Sequence, residues 1–293
     1  MWGIIFILST FLGLVFSTGF FAPIENRTVE KDVVYRVFQD TSLTMDLYFP
    51  EQRGTQSPLI IYIHGGGWYS GDKATGIGLN NMPELVRRGY VVASINYRLA
   101  PRYMFPAQIE DVEYAVDFLR NNASTHRIDP ANIGVMGESA GGHLAALLGL
   151  SDERQWLDGT RGGVSQSPRV QAVVDMFGPS DLKLTFEQHW SMLIEHVFNT
   201  SDPESELIKR ASPVTYVSRQ APPFLILHGD KDNQVSLDQS RELYSRLKAE
   251  SDPATLVVVK NADHEFVPEG GPISPSQKQI DLSIADFFDK YLK

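Results

Sequence analysis

The feature that most constrains the fold is a series of short apolar runs separated by longer amphipathic stretches. Six runs are almost continuously apolar, as in strands covered on both faces: residues 59–63, 90–95, 133–136, 170–176, 224–227 and 256–259. Helical periodicity marks residues 82–88, 107–121, 143–150, 237–250 and 277–291. Strands and helices that alternate in this way predict an α/β fold, with a mostly parallel, twisted central sheet and helices on both faces.

A predicted β-hairpin precedes these strands. Residues 33–38 and 43–49 alternate apolar and polar side chains, and a polar Gln-Asp-Thr-Ser segment separates them. The chain of 293 residues is 42% hydrophobic and 21% charged, which is enough apolar material for a large core. Because no repeat, low-complexity tract or hinge-like linker interrupts the pattern, we expect one domain over residues 25–293.

The N-terminus has the character of a secretory signal peptide. The first 24 residues carry no charged side chain, and residues 4–16 are apolar except for Ser9, Thr10 and Gly13. Small residues at 17–19 suit a cleavage site, so we expect a signal peptide over residues 1–19 and a secreted protein. An uncleaved anchor or a buried helix are the alternatives, although a membrane span needs about 20 apolar residues. Sequons for glycosylation lie at Asn26, Asn122 and Asn199.

Charge and cysteine content exclude several classes of function. The formal net charge is -10, which argues against nucleic acids and anionic membrane surfaces as partners. The chain has no cysteine, so disulfides, thiolate metal sites and a cysteine nucleophile are excluded. Any nucleophile must therefore be another residue type.

A candidate nucleophile lies in residues 137–141, which read Gly-Glu-Ser-Ala-Gly. This G-x-S-x-G pattern follows one predicted strand and opens a predicted helix, which is the context of a nucleophile elbow. Small residues are needed there because the turn is strained and the backbone passes close to its neighbours. The alternative is that Ser139 only caps the helix N-terminus.

A second motif, His-Gly-Gly-Gly-Trp at residues 64–68, directly follows the predicted strand 59–63. The oxyanion-hole loop of an α/β-hydrolase occupies this position. Glycines have no Cβ, so their backbone N–H groups can point at a developing oxyanion. A flexible turn is the alternative for this segment alone, but the two motifs in this order favour an α/β-hydrolase.

The remaining partners of a catalytic triad follow the last two predicted strands. Asp230 and Asp232 follow one strand, and His264 follows the other, which gives the chain order serine, acid, histidine. We favour Asp232 over Asp230 because it lies further into its loop, whereas Asp230 suits a turn. Asp263 is adjacent to His264 and poorly placed to orient its ring. The acidic pair could suggest calcium, but Val235 stands where an EF-hand loop needs glycine, so no metal is expected.

Together these motifs resemble the α/β-hydrolase esterases, close to the BD-FAE (bacterial-type feruloyl esterase) group and related to the hormone-sensitive-lipase-like esterases. The resemblance runs from about Val33 to the C-terminus and rests on residues 64–68, 96–101 (Asn-Tyr-Arg-Leu-Ala-Pro), 137–143, 177–179 (Phe-Gly-Pro), 228–232 (His-Gly-Asp-Lys-Asp) and 263–264 (Asp-His). It implies hydrolysis of carboxylic esters without a metal ion or organic cofactor. The residues that it assigns are Ser139, Asp232 and His264 as the triad, and the amides of Gly66, Gly67 and Ala140 as the oxyanion hole.

The expected substrates are short to medium acyl esters, with acetyl or hydroxycinnamoyl esters of polysaccharides as candidates. Little chain precedes the glycine motif, so cover for the pocket must come from a small insert, or cap, between Phe177 and Pro213 after the sixth strand. The aromatic and large apolar residues that either line the pocket or pack the insert onto the sheet are Trp68, Trp156, Phe186, Trp190, Met192 and Phe198. An amidase or arylformamidase with the same triad, and a catalytically silent binding module, are the alternatives. No oligomeric state follows from the sequence.

Overall fold

The structure, a computed structural model, describes residues 29–38, 41–51, 56–151, 167–185 and 191–293. In this part of the chain, eight strands form one sheet in the order β1-β2-β4-β3-β5-β6-β7-β8. The strands are β1 (Val29–Phe38), β2 (Thr41–Tyr48), β3 (Ser57–Ile63), β4 (Val91–Ile95), β5 (Ile128–Glu138), β6 (Ala172–Met176), β7 (Phe224–Gly229) and β8 (Ala254–Val259). The hairpin β1–β2 joins β4 antiparallel, and the strands from β4 to β8 are parallel.

Helices cover both faces of the sheet. The described residues form α1 (Met82–Arg87), α2 (Ala107–Asn121), α3 (Ala123–His126), α4 (Ala140–Leu150), α5 (Leu182–Thr185), α6 (Ser191–Phe198), α7 (Glu206–Ala211), α8 (Leu237–Ala249) and α9 (Gln277–Leu292). One apolar core lies between the sheet and α2, α4 and α8, and the other lies between the sheet and α1 and α9. The predicted α/β-hydrolase fold class is confirmed.

The strand β3 illustrates why its sequence is apolar without alternation. Leu59, Ile61 and Ile63 belong to one core, whereas Ile60 and Tyr62 belong to the other, and all five side chains are fully buried. A parallel strand covered on both faces needs an apolar residue at every position.

Several elements differ from the prediction. Helix α4 begins at Ala140 and not at residue 143, because β5 continues to Glu138 and one residue makes the turn. The short helices α3, α5, α6 and α7 were not predicted. Helices of one or two turns are held by tertiary packing, and their sequences carry too few periods to be recognised.

The predicted signal peptide over residues 1–19 and the sequon at Asn26 lie outside the described residues. Within the described ranges, no helix combines the length and the apolar character needed to cross a bilayer.

The sheet brings distant parts of the chain to one edge. Strands β3, β5, β7 and β8 are parallel, so the residues that follow their last positions all emerge at the carboxyl edge. In open α/β sheets ligands bind outside this edge. Both predicted motifs and both predicted triad loops begin there.

Candidate active site

Ser139 forms a sharp turn between β5 and α4. Its φ is 51° and its ψ is -119°, a strained conformation for a residue with a Cβ, and its N–H donates to the Met176 carbonyl at 2.9 Å. A Cβ on Gly137 would lie 2.2 Å from the carbonyl oxygen of Gly141, and one on Gly141 would lie 2.1 Å from that of Ile63. The turn therefore needs glycine on both sides of the serine.

The structure brings Ser139, His264 and Asp232 together in one hydrogen-bonded chain. His264 Nε2 lies 2.9 Å from Ser139 Oγ, and His264 Nδ1 lies 2.7 Å from Asp232 Oδ2. Because a carboxylate only accepts, the imidazole carries its proton on Nδ1, and Nε2 is left to accept from the serine hydroxyl. This tautomer is the one in which an imidazole acts as a general base toward serine.

The Asp232 carboxylate is fully buried and is held at both oxygens. Its Oδ1 accepts from the N–H groups of Gln234 at 2.9 Å and Val235 at 2.8 Å. Burial raises the pKa of Asp232, but the hydrogen bonds from His228 and His264 outweigh it and hold the pKa well below its ordinary value. The group is therefore ionised at neutral pH.

The two competing aspartates make other contacts. Asp263 accepts from the backbone N–H groups of Glu265 at 3.0 Å and Val267 at 2.9 Å, so its side chain closes its own turn. Asp230 is exposed, and its backbone N–H donates to the Val259 carbonyl at 2.9 Å. The structure therefore gives His264 the same acidic partner, Asp232, that the loop position favours.

The glycine loop after β3 is a tight turn. Gly66 has a φ of 96° and Gly67 a φ of 59°, both in the left-handed region that favours glycine. The Gly66 carbonyl accepts from the N–H of Ser70 at 3.0 Å, and a Cβ on Gly66 would lie 2.2 Å from the Ser70 carbonyl oxygen. Ala140 is the first residue of α4, so its N–H has no partner within the helix.

A cavity of about 190 Å³ unites these features. Of the six predicted site residues, Gly66, Gly67, Ser139, Ala140 and His264 line it, and Asp232 lies behind His264. The other described lining residues are Gly65, Trp68, Tyr69, Ser70, Glu138, Phe177, Pro179, Thr185, Leu193, Gln234, Val235 and Glu265.

The structure shows which of the two roles left open, lining the pocket or packing the insert, Phe198 and Trp68 have. Phe198 is fully buried against Phe105 and Trp68, at ring-centroid distances of 4.9 and 5.5 Å, so it packs the insert onto the domain. Trp68 lines the cavity wall. Met192 has neither role, because it is 72% exposed and its neighbour Leu193 reaches the cavity instead. The predicted cover residues Trp156, Phe186 and Trp190 lie outside the described residues.

A buried histidine joins the glycine loop to the insert. Trp68 Nε1 donates to His143 Nδ1 at 3.2 Å, and His143 Nε2 donates to the Ala211 carbonyl at 2.8 Å. Burial lowers the pKa of His143 to about 4, so the ring is neutral. His143 therefore supports one wall of the cavity from behind.

Glu138 is a site feature that sequence reasoning missed. This buried residue lines the cavity, and its Oε2 accepts from the Gly78 N–H at 2.7 Å. Burial raises the pKa of Glu138 to about 7, against the opposing hydrogen bonds from Gly78 and Tyr62. The available signal was a charged residue two positions after the apolar run 133–136.

The described part of the chain contains no group of three or more histidine, aspartate or glutamate side chains arranged to hold a metal ion.

Known proteins share both the sequence and the architecture. The sequence profile of the BD-FAE family matches residues 45–247. The chain belongs to the BD-FAE family. The resemblance inferred from the motifs is thereby confirmed.

Among the relatives of this chain, esterase LipQ of Mycobacterium tuberculosis is 36% identical over 219 residues, which cover 73% of this chain and 51% of LipQ. Esterase LipC of the same organism is 33% identical over 252 residues, which cover 83% of this chain and 62% of LipC. The match with these relatives thus spans about half to three fifths of their length.

A solved structure matches over a larger share of both chains. A truncated carbohydrate esterase from gut microbiota has a TM-score of 0.78 and is 30% identical, and the match covers 90% of this BD-FAE chain and 95% of the other.

Proposed function

We propose that the protein is a serine carboxylesterase in which Ser139 is the nucleophile, His264 the general base and acid, and Asp232 the residue that orients His264. The observation that carries the proposal is the hydrogen-bonded chain Ser139–His264–Asp232, whose serine opens into a cavity beside a glycine loop. The fold relatives named as esterases support the same activity.

The chemistry follows from the tautomer of His264. Its Nε2 takes the hydroxyl proton as Ser139 Oγ attacks the ester carbonyl carbon. The π electrons of the C=O bond move onto the carbonyl oxygen, which becomes an oxyanion. The amides of Gly66, Gly67 and Ala140 donate hydrogen bonds to this oxygen. The ionised Asp232 stabilises the imidazolium that forms.

The tetrahedral intermediate then collapses. The C–O bond to the alcohol breaks, and the alcohol leaves with the proton from His264 Nε2. Water attacks the resulting acyl-Ser139 ester while His264 takes its proton, and a second collapse releases the acid and restores the serine hydroxyl.

The size of the cavity supports esters with short to medium acyl chains. A volume of about 190 Å³ accommodates an acyl chain of a few carbons, and Leu193 and Thr185 bound it on the insert side. The carbohydrate esterase relative supports a sugar-linked alcohol, so acetyl or hydroxycinnamoyl esters of polysaccharides are the proposed natural substrates. A single catalytic domain over residues 25–293, secreted after loss of a signal peptide over residues 1–19, completes the proposal.

The test is hydrolysis of p-nitrophenyl esters from acetate to decanoate by the wild type and by Ser139→Ala in matched preparations. We expect activity that falls with acyl length and a rate loss of about 10⁴-fold or more in the variant. Two folded and equally inactive proteins would contradict the proposal. Parallel assays with N-formylkynurenine and an acetyl ester of similar size separate an esterase from an arylformamidase.

A further inference from the structure

His228 makes a second imidazole contact with the Asp232 carboxylate. It lies near the end of β7 and its side chain is fully buried. His228 Nε2 is 3.1 Å from Asp232 Oδ2 and 2.8 Å from the Val235 carbonyl oxygen, while Nδ1 is 2.7 Å from Ser240 Oγ. One oxygen of the acid, Oδ2, thus contacts two histidines.

The partners of His228 determine where its proton lies. Both atoms that face Nε2, the carboxylate oxygen of Asp232 and the carbonyl oxygen of Val235, can only accept, so Nε2 must carry a proton. In the neutral ring Nδ1 is then an acceptor, and the hydroxyl of the fully buried Ser240 donates to it. Ser240 therefore stabilises the tautomer in which His228 donates to the acid.

These contacts place four N–H groups at the Asp232 carboxylate, one of which, that of His228, also faces the Val235 carbonyl oxygen at 2.8 Å. The amides of Gln234 and Val235 hold Oδ1, whereas His264 and His228 share Oδ2. A carboxylate held only by its backbone partners could rotate about the Cβ–Cγ bond and move Oδ2 out of line with His264. The His228 contact with Oδ2 opposes that rotation.

One aromatic ring packs against both imidazoles. The Phe177 ring is fully buried and packs at 4.6 Å from the His264 ring and 6.5 Å from the His228 ring, measured between centroids. Hydrogen bonds in such an apolar setting are stronger than in water. His228 is also absent from the described lining of the cavity, so it does not meet the substrate.

We propose that His228 is a positioning residue that holds Asp232 Oδ2 in line with His264 Nδ1, with Ser240 setting the tautomer of His228. This role rests on the proposed esterase function. It differs from a purely structural role because it requires an N–H at one position, not merely a ring that fills space.

The experiment compares His228→Phe, His228→Gln and Ser240→Ala with the wild type, using p-nitrophenyl acetate as substrate. Phenylalanine fills the space without a donor, whereas the glutamine amide can present an N–H near the position of Nε2. We expect kcat to fall about tenfold or more in His228→Phe with KM changed less than about twofold, because geometry and not binding is lost. His228→Gln should retain most of the wild-type kcat. The kcat of Ser240→Ala should lie between those of His228→Phe and His228→Gln.

A spectroscopic readout accompanies the kinetics. The proton between His264 Nδ1 and Asp232 gives a far-downfield NMR resonance, and we expect it to shift or broaden in His228→Phe and to return in His228→Gln. Should His228→Phe fail to fold, the comparison of His228→Gln with Ser240→Ala still tests the donor, since both keep most of the packing. Equal kcat in wild type and Ser240→Ala, with an unchanged resonance, would overturn the role.

His126→Gln is the matched control. His126 is also a buried histidine, but it precedes β5, at the opposite end of that strand from Ser139. We expect kcat to be unchanged in this variant even where the thermal midpoint falls. Equal loss of kcat in His228→Phe and His228→Gln would overturn the positioning role alone, whereas wild-type protein without Ser139-dependent hydrolysis would overturn the proposed function.

Discussion

Glu138 Oε2 accepts a hydrogen bond of 2.7 Å from the N–H of Gly78, a residue 60 positions away in the sequence. The contact ties the residue before the candidate nucleophile to the segment that follows the glycine loop. The other carboxylate oxygen of Glu138, Oε1, leaves no space for a side chain at Gly76, where a Cβ would lie 2.0 Å from it. The end of β5 and the segment that follows the glycine loop are therefore fixed to each other through one carboxyl group.

This carboxyl group should make stability depend on pH. Burial raises the pKa of Glu138 to about 7 in the folded protein, against 4.5 for an unperturbed group, so the folded state binds the proton more tightly. The contribution of this proton to the free energy of unfolding is complete below the pKa of Glu138 in the unfolded chain. It is lost as the pH rises through the pKa of Glu138 in the folded protein. Relative to Glu138→Gln, the wild type should lose on the order of 3 kcal/mol of unfolding free energy between about pH 4.5 and pH 7.

Urea denaturation of both proteins across this range measures the difference. Other buried groups titrate in both proteins, so only the difference between the two curves reports on Glu138. Parallel curves for wild type and Glu138→Gln would show that Glu138 keeps an ordinary pKa.

Gly141→Ala should disrupt the turn at Ser139. The new Cβ would lie 2.1 Å from the Ile63 carbonyl oxygen and 2.5 Å from that of His64, and both are backbone atoms that cannot move aside. Helix α4 must then shift away from β3, at a cost of about 1–3 kcal/mol or more. We expect a lower thermal midpoint. We also expect a lower kcat at temperatures where the variant is still folded, because Ser139 moves with the helix.

Gly271→Ala serves as its control, since the nearest atom there is the flexible side-chain nitrogen of Asn261 at 3.1 Å. A Gly141→Ala enzyme with wild-type kcat would contradict the packing argument.

The charge of the cavity should determine which esters enter it. Glu138 and Glu265 line the wall, and no lysine or arginine is found among its described lining residues. Negative potential disfavours an anionic acyl group, so mono-p-nitrophenyl succinate should react more slowly than the uncharged p-nitrophenyl butyrate. Because Glu265 is exposed, Glu265→Gln should reduce the difference in kcat/KM between the two esters by only about two- to fivefold, and by less at high salt.

The measurement is kcat/KM for both esters at two ionic strengths. An unchanged ratio of the two kcat/KM values in Glu265→Gln would show that this residue does not contribute to the selectivity. The kcat/KM for p-nitrophenyl butyrate serves as the control for general damage to the enzyme.

Phe198→Ala should loosen the wall formed by Trp68. The Phe198 ring is fully buried between Trp68 and Phe105, so its removal leaves a cavity that typically costs about 3–5 kcal/mol. Trp68 can then shift toward the space left by the ring. We therefore expect the kcat/KM for longer p-nitrophenyl esters to rise relative to that for p-nitrophenyl acetate. A stability loss without any change in acyl preference would mean that Phe198 acts on packing alone.

The exposed Met192, six residues before Phe198 on the same helix α6, provides the comparison. Met192→Ala removes a side chain of similar size that is 72% exposed, so both stability and acyl preference should stay near wild type.

The parts of the site that the sequence predicts are those marked by local patterns. Glycines at 66, 67, 137 and 141 lie close to the ends of apolar strands. At Gly66, Gly137 and Gly141 a Cβ would meet backbone atoms, and Gly67 has a φ of 59°. Strand order then brings His264 and Asp232 to the same edge as Ser139, because parallel strands end together. Pattern and topology thus suffice for the residues that the proposed triad needs.

The remaining contacts depend on pairs of residues that no local pattern links. His228 precedes a glycine at a strand end and gives no sign that it meets Asp232, and Glu138 gives no sign that its partner is Gly78. The cover of the cavity was also missed in part, since Leu193 and not Met192 faces it. Orientation around a short helix is set by tertiary packing, which periodicity over eight residues cannot specify.

Ser139 and His264 are separated by 125 residues, and His264 follows β8, the last strand to join the sheet along the chain. A nascent chain that has left the ribosome only as far as β7 can already contain the elbow and the glycine loop, yet it holds no base for the serine. The proposed chemistry is therefore silent until β8 pairs with β7 and brings its loop over Ser139. Hydrolysis then reports that β8 has paired with β7, and not merely the presence of a collapsed chain.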